Sequence, residues 1–122
     1  MKSLAAPGAL PALVHCTAGK DRTGLVIALL LRLVGVDADT IAADYHATAA
    51  CLAGDFMVEF RRRTEARGID WQAYAPLLKC PPEFMLRLLT YVDETYGSVQ
   101  TYLGQAGVAA DELTALQAAL LE

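Results

Sequence analysis

Ten consecutive residues, HCTAGKDRTG from His15 to Gly24, gather a cysteine, an arginine, a lysine and two glycines. Cys16 and Arg22 stand on either side of five intervening residues. An apolar segment precedes this stretch and an apolar helical pattern follows it. A loop that enters a helix N-terminus turns its backbone N–H groups into one concavity, which attracts an anion. Gly19 and Gly24 supply the dihedral freedom and close approach that such a loop requires. Arg22 offers a planar fork that matches two phosphate oxygens. The same amides lower the pKa of Cys16 and make a thiolate available near neutral pH. A thiolate beside a bound phosphate is placed for in-line attack on phosphorus.

The neighbouring residues fit supporting roles. The amides from Thr17 through Ala18 and Gly19 to Arg22 can hold phosphate oxygens. His15 can brace the loop through hydrogen bonds. Thr23 can donate to the sulfur when it departs from a phosphocysteine. Lys20 adds a second positive charge at the rim, and Asp21 is a carboxylate able to transfer protons. A nucleotide-binding P-loop is the nearest rival reading. It is excluded because Val14 stands at the first glycine position and Asp21 follows the lysine in place of Ser or Thr.

The elements around the loop follow from periodicity. PALVH, Pro11 to His15, is short, apolar and bounded by proline, so it reads as a buried strand. TGLVIALLLRLVGV reads as a helix ending near Gly35, apolar nearly all round and therefore central. Asp37 or Asp39 can cap a helix with Ile41, Tyr45, Ala49 and Leu52 on one face. Asp55 can cap the next, where Phe56 and Phe60 stack at i, i+4 and Arg61, Arg62, Arg63 and Arg67 form a basic run. That run is either a solvated face or a contact for acidic substrates and headgroups. The segment from Gly68 to Cys80 reads as loop and short turns, with Trp71 and Tyr74 packed or lining a substrate rim. Pro82 opens a helix ending at Gly97, Ser98 caps a short one, and a last helix spans about Ala109 to Leu121.

The chain of 122 residues, 55% hydrophobic and 20% charged, is one small globular domain. A net charge of −4 argues against a nucleic-acid binder. Cys16, Cys51 and Cys80 are an odd, scattered set, which fits reduced thiols in the cytoplasm and neither a disulfide scaffold nor a zinc site. The N-terminus is broken by Pro7, Gly8 and Pro11 and makes a poor signal peptide. No apolar run is long enough to cross a bilayer.

His15-Cys16-x-x-Gly19-x-x-Arg22-Thr23-Gly24 resembles the signature loop of cysteine-dependent protein tyrosine phosphatases. The full string is most similar to the bacterial atypical tyrosine and lipid phosphatases, whose loop carries Lys-Asp before the arginine. VGVDADTIAADY, CPPEFM and YGSVQTYLGQAGV are similar to the C-terminal half of the same family. The resemblance implies an α/β phosphatase-like fold, expressed here as one central strand, the signature loop and about six helices. It implies hydrolysis of phosphomonoesters through a phosphocysteine, with Cys16 as nucleophile, Arg22 as phosphate clamp and no metal or cofactor. Phosphotyrosine is the implied substrate, with phosphoserine, phosphothreonine or phosphoinositides as extensions.

The family usually draws its acid from an aspartate on a separate loop, often upstream, yet no Asp or Glu precedes Asp21. Either Asp21 is the acid, or the acid lies outside this chain. The expectation is therefore that residues 1–122 form the C-terminal part of a single phosphatase domain. Such a fragment would expose apolar surface and self-associate. The competing expectation is an inactive fragment that only binds phosphate or phosphorylated ligands.

Overall fold

A computed structural model describes residues 1–121. The order is α1 (Lys2–Ala5), α2 (Asp21–Leu33), α3 (Ala38–Cys51), α4 (Asp55–Ala66), α5 (Trp71–Tyr74), a 3-10 turn (Ala75–Lys79), α6 (Pro82–Tyr96), α7 (Val99–Gln105) and α8 (Ala110–Leu121). α2 is the central helix. α3 and α7 pack on it, and α6 packs on both of these, burying Ala28, Leu30 and Leu33 while Leu25 stays exposed.

The α/β expectation is overturned. Among the described residues there is no strand and no sheet. Pro11–His15 is irregular, and Leu13 stands 89% exposed. An extended segment becomes a strand only when a neighbour takes up its N–H and C=O groups. Every other long segment here carries helical periodicity, so the one extended segment finds no ladder partner. α1 and the short α5 are additions to the expected helices.

Local chemistry explains the boundaries. The Asp37 side chain accepts from the Thr40 amide at 2.9 Å and caps α3. Ser98 caps α7 by accepting from the Thr101 amide at 3.1 Å. Gly54, rather than Asp55, occupies the cap position of α4, with φ 67. Gly97, with φ 80, ends α6 in a conformation that disfavours side-chain-bearing residues.

The core has two parts that meet along α2. One contains Ala28, Ile41, Tyr45, Cys80, Met85 and Leu89 and lies behind the signature loop. The other gathers Leu30, Leu33, Val92, Val99, Leu103 and Leu116 toward the far end of α2. Two polar contacts fasten α2 from outside. Arg32 donates to Asp93 of α6 at 2.9 Å, and Gln117 of α8 donates to the Leu33 carbonyl at 2.8 Å. Ile41 is 1% exposed at the base of the first cluster. Ile41→Ala is expected to cost about 3 kcal/mol of unfolding free energy, through lost burial and the cavity left behind. Urea denaturation checks this, and a loss under about 1 kcal/mol would contradict tight packing beneath the loop.

Candidate active site

α2 begins at Asp21 with Lys20 at its cap position, and the first-turn amides of a helix have no partner within the helix. The loop curls so that several of these groups face Cys16. The Thr23 hydroxyl lowers the Cys16 pKa most. The Thr23, Ala18 and Lys20 amides lower it further, while partial burial opposes them. The net effect brings the thiol from 9.0 to about 6. The resulting thiolate is therefore the dominant form at neutral pH and is lost as the pH falls through about 6.

Thr23 Oγ1 is buried and has no partner at full hydrogen-bonding geometry in the resting loop. A thiolate on Cys16 would be the acceptor this hydroxyl lacks. Gly19 turns the loop at φ 66, in the left-handed region, so a side chain there would strain the cradle. Arg22 Nη2 donates to Thr17 Oγ1 at 3.2 Å, which folds the guanidinium over the loop on the open side.

Cys16, Thr17, Ala18, Lys20, Asp21 and Arg22 all line one cavity of about 420 Å³. Gly19, Thr23 and Gly24 line a second, about 70 Å³, behind the loop. His15 is exposed and lines neither. Lys20 departs from its expected place at the rim. It is only 6% exposed, and its ammonium donates to the Asp21 carboxylate.

The opposite wall comes from α4 and the segment after it. Phe56 and Phe60, with ring centroids 5.7 Å apart, face the loop together with Tyr74 and Leu78. Arg63 and Arg67 complete that wall. Arg61 turns away and lies 5.7 Å over the Trp71 ring, so it fixes α4 to α5. Arg62 and Arg63 bind Glu59 and hold its carboxyl down at about 2. The basic run is therefore split between pairing along the helix and facing the cavity. Phe56 and Phe60 were legible only as an i, i+4 stack, because helical spacing does not say which surface the pair meets. Cys51 is exposed on α3 and Cys80 buried, and neither lines the main cavity.

A helix N-terminus that presents a low-pKa cysteine and an arginine to one cavity is an anion-binding arrangement. Residues 1–122 match the tyrosine phosphatase family, and the chain belongs to it. It is 34% identical over 131 aligned positions to the triple specificity protein phosphatase PtpB of Mycobacterium tuberculosis, covering 91% of this chain and 44% of that protein. It is 31% identical over 112 positions to a tyrosine-protein phosphatase of Nostoc commune, covering 88% of this chain and 38% of that protein. The chain thus spans less than half the length of these curated relatives. No described helix is long and apolar enough to cross a membrane.

Thr23→Val removes the hydroxyl and keeps the side-chain shape. The Cys16 pKa is expected to rise from about 6 toward 9.0. Ultraviolet titration of thiolate absorbance, with Cys16→Ser subtracted, checks the shift. An unchanged midpoint would show that the amides suffice.

Proposed function

We propose that this chain carries the catalytic loop of a phosphomonoester hydrolase acting through a phosphocysteine. The observation that carries the reading is that Cys16 and Arg22 line one cavity, with the loop donors holding the thiol low. Arg22 clamps two phosphate oxygens, and the loop amides take the others. The Cys16 thiolate attacks phosphorus, a P–S bond forms, and the ester P–O bond breaks. The departing oxygen takes a proton from the acid. Water then attacks the phosphocysteine, its proton returns to that group, and the thiolate leaves with inorganic phosphate released. The Thr23 hydroxyl stabilises the sulfur as it departs.

Asp21 is the proposed acid and base. It is the carboxylate that lines the cavity, and it accepts from the Lys20 ammonium. The aromatic side chains on the facing wall suit an aryl phosphate such as phosphotyrosine. Arg63 and Arg67 add charge for acidic flanking residues or for the further phosphates of a phosphoinositide. The name of the Mycobacterium tuberculosis relative, triple specificity, supports a substrate range wider than phosphotyrosine. The chain is proposed to form part of a longer phosphatase domain, in keeping with the span of its relatives.

Phosphate release from an aryl phosphate, measured against Cys16→Ser, tests the reading. Turnover by the chain and background from the variant are expected. Equal rates at every pH would sink catalysis and leave a phosphate-binding module. Asp21→Asn is expected to lose roughly 100-fold on an alkyl phosphate and much less on an aryl phosphate with a good leaving group. Equal losses on both substrates would remove Asp21 as the acid. Arg63→Glu with Arg67→Glu is expected to raise KM for a phosphoinositide while sparing a small aryl phosphate. Parallel changes on both would contradict a headgroup contact.

A further inference from the structure

We propose that His46 is a positioning residue for the wall that faces Cys16: its ring N–H binds the Cys80 carbonyl and holds residues 71–80 against α3. This rests on the reading of the cavity as a phosphomonoester site. Residues 71–80 comprise α5, the 3-10 turn and Cys80, and they bring Tyr74 and Leu78 to the cavity. The Tyr74 ring centroid lies 6.0 Å from that of Phe60 and 6.4 Å from that of Trp71, so this segment meets the aromatic face of α4. α3 is the element that can set the wall against the cradle, because it also packs on α2, which begins within the loop. His46 Nδ1 lies 3.0 Å from the Cys80 carbonyl oxygen. That oxygen only accepts, so Nδ1 carries the proton and donates. Among the described residues, no other hydrogen bond joins residues 71–80 to α2 or α3.

The bond falls on the point of the segment that most needs holding. Cys80 has φ 46 and ψ 57, and among the described residues no other side-chain-bearing residue takes a positive φ. The left-handed region is unfavourable for a residue with a Cβ. Pro81 follows, and a proline pushes the residue before it toward extended dihedrals. Proline also lacks the N–H that could pin the turn from its far side. The strained conformation is kept by its surroundings. Cys80 is 0% exposed, its thiol donates to the Leu78 carbonyl at 3.6 Å, and its carbonyl is taken by His46. The thiol bond lies within the segment, whereas the His46 bond reaches it from α3. Without that bond, Cys80 relaxes toward extended dihedrals, and Leu78 and Tyr74 shift in the cavity. The cradle stays as it is, since Cys16 to Arg22 belong to the loop and the first turn of α2. His46 therefore governs the fit of the organic part of a phosphate ester and leaves the phosphate itself alone.

The Cys16→Ser chain is the background, so that ligands bind without turnover. Iodoacetamide labelling, followed by mass spectrometry of the Cys80 peptide, reads opening of the turn, and the exposed Cys51 is the internal control. Adding His46→Ala is expected to speed Cys80 labelling roughly fivefold, the factor that one hydrogen bond of typical net strength supplies. Cys51 labelling and the melting temperature are expected to change little. Calorimetry with O-phosphotyrosine and with inorganic phosphate reads the wall. His46→Ala is expected to weaken the first several-fold and to spare the second. His46→Asn, whose amide N–H stands near the Nδ1 position, is expected to restore both readouts. Should His46→Ala fold poorly, His46→Phe keeps a ring without the donor and takes its place.

Cys80 labelling at an unaltered rate in the folded variant overturns the proposal. So does equal weakening of the two ligands, or a background chain with no preference for O-phosphotyrosine. A His46→Asn chain that behaves like His46→Ala also overturns it, by removing the hydrogen bond from the account. Neither readout needs turnover. These shifts, with no phosphate released by the chain that retains Cys16, sink the hydrolase reading alone, and turnover without the shifts sinks this inference alone.

Discussion

Converging hydrogen-bond donors stabilise negative charge on the Cys16 sulfur, and the placement of the surrounding elements bears on that convergence. The donors are a hydroxyl and three amides from a loop of eight residues, Cys16 to Thr23. Amides can aim at one point only if the loop is bent tightly, which Gly19 permits at φ 66. They stay aimed only if the helix that follows is immobile. α2 meets that condition because it is the central helix, clamped at its far end by Arg32–Asp93 and by Gln117. The acidity of a thiol at one end of α2 is thus tied to packing along its whole length.

Charge around the sulfur is arranged in layers. Arg22 faces the open cavity and is steadied by Thr17. Lys20, next to it but one in sequence, goes inward and is matched by Asp21. Two cations so close together would crowd one anion site. Sending one beneath the loop leaves a single guanidinium at the cradle and turns the other into part of the scaffold. Further positive charge comes from α4, on Arg63 and Arg67, at the outer wall of the cavity.

The cradle was legible in the sequence because its groups are contiguous: thiol, guanidinium, turn glycines and hydroxyl all lie between Cys16 and Gly24. The helices were legible from their periodicity, with caps such as Asp37 and Ser98 marking where they begin. The α/β expectation failed at Pro11–His15. An apolar run beside a proline has the composition of a strand, but a strand is a relation between segments and composition names no partner. Lys20 was misplaced for a related reason. A lysine in a loop is ordinarily solvated, and its inward turn leaves it 6% exposed with its ammonium on Asp21, a burial that no spacing along the chain announces. The facing wall of Phe56, Phe60 and Tyr74 was likewise hidden, since spacing along α4 fixes a stripe and not what the stripe meets.

The central claim is that Cys16 becomes covalently phosphorylated during hydrolysis. Rapid acid quenching of the chain with an aryl phosphate, followed by mass spectrometry of the Cys16 peptide, tests this most directly. The account predicts phosphate on Cys16 that appears before free phosphate accumulates, and none in Cys16→Ser. Release of phosphate with Cys16 never modified would contradict it.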